Sequence, residues 1–184
     1  ATGHADIVKD QNGNWWLVCL AIRPVKNMQL HHIGRESFLA PVRWSEDGWP
    51  IVGNDGKIDF EMDGPLPGPA PLPVSHDFCD TFDKDKLDLR WSFVRNPKRE
   101  CYILENAHLI LKSGADNLST PLGHPTMIAV RQQEFDVELI AQIEGEVKNG
   151  QRSGVSAFYN NSYHYDVFVT KNQDGHAICL RKRV

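Results

Sequence analysis

The chain has 184 residues, 41% hydrophobic and 24% charged, with a formal net charge of −4. That length can bury a core without metal or disulfide staples, and the charge balance argues against a nucleic-acid partner held by a strong positive field. No run of roughly 18 apolar residues is present, so neither a transmembrane helix nor a membrane partner is expected. No basic segment followed by an apolar one opens the chain, and its first residues read as the middle of a protein. The expected protein is soluble, with the compartment open between cytoplasm, periplasm and exterior.

Strand signals dominate from the start. Gly3-His4-Ala5-Asp6 opens a first strand, and the turn Asp10-Gln11-Asn12-Gly13 leads into Trp15–Leu20, an aromatic and apolar run. Asp47-Gly48 and Asp55-Gly56 are further turn signals. Residues 64–73 hold five prolines in ten positions, which cannot join a sheet ladder and favour an extended, semi-rigid linker. Beyond it, Phe135–Ile143 alternates apolar and polar residues, the period of a half-buried strand. Asn149-Gly150 is a turn. Gly154–Tyr159 and Tyr163–Thr170 read as strands joined at Asn160-Asn161-Ser162, and Asp174-Gly175 turns into His176–Leu180. No stretch shows a helical period capped at both ends. The chain is expected to be all-β: a Trp-rich piece over residues 1–63, a linker over 64–73, and a sandwich over 74–184. The first piece is small for an independent all-β domain and matches one propeller blade and part of another.

Few residues announce chemistry. Of the four cysteines, three sit among apolar neighbours and none forms a C-x-x-C pair, which predicts small buried hydrophobes. Asn117-Leu118-Ser119 and Asn160-Asn161-Ser162 match the glycosylation pattern, which matters only on a eukaryotic secretory route. His4, beside a glycine, can approach a ligand or metal closely, although a lone histidine is more often structural. Arg35 follows Gly34, and an arginine whose donors converge can hold sugar hydroxyls or a carboxylate. The bland alternative for Arg35 is a surface pair with Glu36. His31 and His32, taken as strand neighbours, point to opposite faces and make a poor chelate. Asp6, Asp10, Glu36 and Asp59 show no spacing that marks the acid pair of a glycosidase. No nucleophile elbow, P-loop, zinc-protease or dinucleotide motif is present.

Longer stretches carry a resemblance. Gly3–Val8, Gly13–Val18, Leu20-Ala21-Ile22-Arg23-Pro24, Ile33–Trp44 and Asp47-Gly48-Trp49-Pro50 resemble the last blade of glycoside hydrolase family 43, in its β-xylosidase and α-L-arabinofuranosidase branch. Past the linker, Phe78–Asp83, Trp91–Pro97, Arg131-Gln132-Gln133 and Gly154–Asn160 resemble that family's C-terminal sandwich, a concanavalin A-like jelly roll. The resemblance implies the end of a five-bladed β-propeller followed by a jelly-roll sandwich that looks cut short.

It also implies a glycosidase that removes terminal xylose or arabinose from hemicellulose oligosaccharides with inversion. The family's three catalytic carboxylates lie in earlier blades, so no catalytic residue is expected in this chain and the chain alone is expected to be inactive. His4 is similar to the family histidine on the central axis, below the sugar or holding calcium through water. Arg35 is similar to the arginine that contacts the sugar where cleavage occurs. No cofactor is required, with calcium the one candidate. The expected partners are a xylo- or arabino-oligosaccharide and the missing blades, from the same polypeptide or a companion chain; self-association is a further possibility. Trp15, Trp16, Trp44 and Trp49 are expected to be partly exposed if the propeller piece stands alone. The competing reading is a non-catalytic carbohydrate-binding or structural sandwich, with Trp91, Tyr159, Tyr163 and Tyr165 stacking on sugars. Burial is the commoner fate of such aromatics.

Overall fold

The structure is a computed structural model in which residues 2–26, 30–65, 68–69, 75, 77–96 and 100–184 are described. All regular elements among them are strands, in keeping with the all-β expectation. Most of the Pro-rich stretch 64–73 lies outside the described residues. The chain divides into two compact units. The first comprises Ala1–His76 with Gln133–Phe135, and the second comprises Asp77–Gln132 with Asp136–Val184.

The first unit is built on one antiparallel sheet of four consecutive strands: β1 (Gly3–Lys9), β2 (Trp15–Ala21), β3 (Glu36–Trp44) and β4 (Pro50–Val52). The β1–β2 turn forms around Asp10. Its Oδ1 accepts the amides of Asn12 and Asn14 at 2.8 and 2.9 Å, and its Oδ2 accepts the Trp16 indole N–H at 3.0 Å. Gly13 supplies the positive φ of 89° that the turn requires. Four donors hold this carboxylate in its charged form, at a pKa of about 2, with the Trp16 indole the largest cause. One face of β2 and β3 is the core: Cys19, Ala21, Ala40 and Val42 are buried, Ala40 completely. Trp16 is buried as well, at 6% exposure, against the expectation that it would be partly open. Its indole is held by Asp10 and its ring lies near Gly64, which explains the difference. Trp44 and Trp49 are exposed as expected.

The second unit contains β5 (Trp91–Phe93) paired with β8 (Ile128–Val130), and β6 (Tyr102–Glu105) paired with β7 (His108–Leu111). Its largest sheet has the order β11-β10-β9, from β9 (Arg152–Asn160), β10 (Tyr163–Asn172) and β11 (Gly175–Arg183). The β9–β10 turn falls where predicted, with the Asn160 side chain accepting the amides of Ser162 and Tyr163. Gly154 faces Phe168 so closely that a Cβ would run into the Val167 carbonyl oxygen. Only glycine fits there without moving the sheet.

Two expectations fail in this unit. Residues 136–143 form no strand, and Val137, Leu139, Ile140 and Ile143 are exposed. Alternation gives a segment two distinct faces, but a ladder also needs a neighbouring edge, and no described residue pairs with this one. Tyr159, Tyr163 and Tyr165 are also not core residues. They are 54%, 53% and 48% exposed. Along β10, exposed Tyr163, Tyr165 and Val167 alternate with buried His164 and Asp166, so the tyrosines occupy the outer face.

Candidate functional site

The register of the first sheet brings the two sequence candidates to one end of it. Gly3 pairs with Leu20 and Leu20 pairs with Ser37, so a single row crosses β1, β2 and β3. His4 is next to the start of that row and Arg35 lies two residues before its end. Two strand spacings, about 10 Å, separate β1, which carries His4, from β3, which Arg35 precedes.

His4 sits in a β-bulge. The pairing runs from Gly3↔Leu20 to Asp6↔Val18, which leaves His4 and Ala5 opposite Cys19 alone. The His4 backbone has φ 51°, a left-handed conformation uncommon in non-glycine residues. A bulge of this kind re-aims a side chain away from the regular alternation, and such strain gathers at functional positions. His4 is exposed on the edge strand.

Arg35 lies on a short, well-anchored approach to β3. Ile33 before it is 6% exposed, Gly34 turns the chain with φ 92°, and Arg35 itself is exposed. Glu36 begins the ladder opposite Ala21 and is engaged by Arg23. The Arg23 Nε and one terminal nitrogen donate to the two Glu36 oxygens at 2.8 and 2.9 Å. The same terminal nitrogen donates to the Gln133 carbonyl at 2.6 Å, and the guanidinium lies 5.3 Å from the centre of the Phe135 ring. Glu36, through this hydrogen bond, raises the already high pKa of Arg23. Sequence reasoning did not single out Arg23. It belongs to a stretch that carries the family resemblance, but no spacing relates it to Glu36, thirteen residues away.

The other three candidate acids, Asp6, Asp10 and Asp59, are engaged in local structure. Asp6 accepts its neighbour's amide, Asp10 organises the first turn, and Asp59 accepts Asn54 and Lys57, with Lys57 the main cause of its lowered pKa. His31 and His32 lie in a loop rather than a strand, so the expected opposition of their faces does not arise. His32 packs edge-on against Phe135 at 5.5 Å, and the buried Nδ1 of His31 has no hydrogen-bond partner among the described residues. Calcium takes six to eight oxygen ligands. Among the described residues no three His, Cys, Asp or Glu side chains converge, so these side chains do not by themselves assemble such a set.

The second unit holds a buried polar cluster instead. Asp166 accepts Arg181 at 2.7 and 2.6 Å through one oxygen and the Ser156 hydroxyl at 2.6 Å through the other. His164, 1% exposed, donates from Nδ1 to the Asn160 carbonyl at 3.0 Å, so its Nε2 faces Ser119 and Arg181. No short-range motif marks this group in the sequence. The Trp91 ring is packed between Phe78 and Phe82, and its N–H donates to Asp80 at 2.8 Å. Cys19 and Cys101 are buried as expected, whereas Cys79 is exposed and Cys179 half-buried; all four are free thiols.

Comparison with known proteins gives these features a context. Residues 79–184 match the β-xylosidase C-terminal concanavalin A-like domain, and residues 1–50 match glycosyl hydrolases family 43. The chain belongs to glycoside hydrolase family 43. It is 37% identical over 186 residues to the non-reducing end alpha-L-arabinofuranosidase of Bacteroides ovatus, covering 99% of this chain and 34% of that protein. A xylosidase/arabinosidase of Butyrivibrio fibrisolvens is 32% identical over 177 residues, 94% of this chain and 34% of the relative. The solved structure described as Bacteroides ovatus xyloglucan PUL GH43B matches with a TM-score of 0.75 and 34% identity, over 100% of this chain and 36% of that one. The chain thus spans about a third of the length of the curated relatives it matches.

Proposed function

We propose that this chain is the C-terminal part of a glycosidase that removes terminal arabinose or xylose from hemicellulose oligosaccharides. The observation that supports this reading is the order of the two family matches, propeller sequence over residues 1–50 and sandwich sequence over residues 79–184. His4 and Arg35 contribute contacts to the sugar, and the catalytic acid and base come from blades in the same polypeptide or a companion chain. An inverting reaction places a water between the base and the sugar ring, which requires widely spaced carboxylates. Arg35 offers a fixed fork of donors to the sugar oxygens, where a charged hydrogen bond is worth more than a neutral one.

The test is kinetic. The full-length polypeptide containing this chain is expected to hydrolyse aryl arabinofuranosides or xylosides, with the first-formed sugar anomer read by NMR. The present chain alone is expected to give no turnover above blank. Arg35→Ala in the full-length polypeptide is expected to lower kcat/KM by about 10- to 100-fold, the worth of a charged hydrogen bond. Unchanged kinetics would make Arg35 a surface residue. Robust turnover by the present chain, abolished by one Asp or Glu substitution within it, would overturn the assignment of the acids elsewhere.

A second reading rests on the outward row of Tyr159, Tyr163 and Tyr165. Rings presented in this way can stack on sugars, so the sandwich could bind carbohydrate without cleaving it. The aliphatic residues Val167, Ile178 and Leu180 share the exposed surface of this sheet and favour a protein cover over a sugar. Titration with xylo- and arabino-oligosaccharides, with Tyr165→Ala as control, separates the two.

A further inference from the structure

We infer that Arg23 is a positioning residue for Arg35, an inference that rests on the glycosidase reading above. Arg35 stands between two anchors. On its N-terminal side Ile33 is buried and Gly34 makes a left-handed turn with φ 92°. On its C-terminal side Glu36 enters the sheet opposite Ala21 and both of its carboxylate oxygens are held by Arg23.

Arg23 is itself fixed from several directions. It follows closely on the end of β2, and two residues on the Val25 amide donates to the Leu30 carbonyl at 2.8 Å. Its guanidinium also donates to the Gln133 carbonyl at 2.6 Å, lies over the Phe135 ring and stands 4.0 Å from Glu134. The guanidinium and Glu36 side chains are only 28% and 26% exposed, so water competes weakly for the pair. A planar fork matched to a carboxylate fixes orientation as well as distance, which a lysine cannot do. Removing the fork takes both Arg23 contacts from the Glu36 carboxylate, and the segment carrying Arg35 loses a side-chain restraint on its C-terminal side while keeping its sequence. The predicted loss therefore passes through Arg35.

The experiment is a double-mutant cycle in the full-length polypeptide, using an aryl arabinofuranoside and an aryl xyloside, with hydrogen exchange of the segment 33–38 as a readout independent of activity. Arg23→Ala and Arg23→Lys are each expected to lower kcat/KM by about 10-fold, within the range for a lost charged hydrogen bond. In an Arg35→Ala background the same substitutions are expected to cost less than twofold, because coupled residues are non-additive. Exchange is expected to accelerate in residues 33–38 and not in β9, β10 or β11. Equal losses in both backgrounds, or an Arg23→Ala enzyme within twofold of wild type, would overturn the inference while leaving the glycosidase reading intact. A wild-type polypeptide inactive on both substrates would overturn that reading. The positioning role would then stand on localised exchange and fall if exchange in residues 33–38 were unchanged.

Discussion

Each unit of this chain contains an arginine–carboxylate pair, and the two are built differently. In the first unit Arg23 and Glu36 are thirteen residues apart, both about a quarter exposed, and the guanidinium spends a further donor on a carbonyl from residue 133. In the second, Asp166 and Arg181 are direct cross-strand partners in β10 and β11, and the carboxylate is only 5% exposed. The second pair secures a hairpin whose register the β9–β10 and β10–β11 turns already set. The first holds the residue at which β3 begins, opposite Ala21, and a candidate sugar-contacting arginine immediately precedes it outside the ladder. The same chemistry thus serves a hairpin in one place and the start of a strand in the other.

The largest expected effect tests the sheet pair. Asp166→Ala is expected to destabilise the second unit by about 3 kcal/mol, since it leaves Arg181 and Ser156 without their shared acceptor. Urea unfolding followed by tyrosine and tryptophan fluorescence measures this, and a double replacement Asp166→Leu with Arg181→Met should recover most of it. A loss below about 0.5 kcal/mol would place this pair among ordinary surface contacts.

Gly154→Ala asks how rigid the same sheet is. An added methyl would meet the Val167 carbonyl and the Phe168 backbone, and overpacking of this kind costs about 1–3 kcal/mol. A variant as stable as wild type in thermal unfolding would mean that β9 and β10 can separate locally without penalty.

A smaller, pH-dependent effect sharpens the picture of the first unit. The Asp10 pKa is lowered from 3.8 to about 2 by the Trp16 indole and its turn amides. A depressed folded-state value means the stabilisation is fully present above about pH 4 and is lost as the pH falls through about 2. Asp10→Asn is therefore expected to flatten the decline in stability across that window, as seen in acid titration monitored by Trp16 fluorescence. An unchanged acid profile would remove Asp10 from the set of groups that drive it. The smallest effect belongs to the outer tyrosines: Tyr165→Ser is expected to change stability by less than about 0.5 kcal/mol. A larger loss in calorimetry would show that this exposed ring packs against something that stabilises the fold.

The long elements were legible because their signals are local. Asp10–Gly13, Asn160–Ser162 and Asp174-Gly175 are turns whose side chains or glycines satisfy the backbone within a few residues, and the intervening runs could only be strands. Phe135–Ile143 was misread for the complementary reason: alternation is local, but pairing is not. The tyrosines of β9 and β10 were misjudged because residue type says how well a side chain tolerates burial, not which side of the sheet is covered. His4 and Arg35 were legible as candidates, through their glycines and the family resemblance, whereas Arg23 was not, since nothing along the chain links it to Glu36.

The sequence by itself determined that the protein is all-β, where its main turns fall, that a propeller-like segment precedes a sandwich segment, and that it resembles family 43. Each of these depends on residues within about ten positions of one another, or on ordered motifs that can be recognised without coordinates. Tertiary structure decided the rest: the bulge that gives His4 its left-handed backbone, the row that places His4 and Arg35 at one end of a sheet, the capture of Glu36 by Arg23, and the burial of His164 and Asp166. These depend on strand register and on contacts between distant segments, and free energies of that kind come from neighbours that the order of residues does not name.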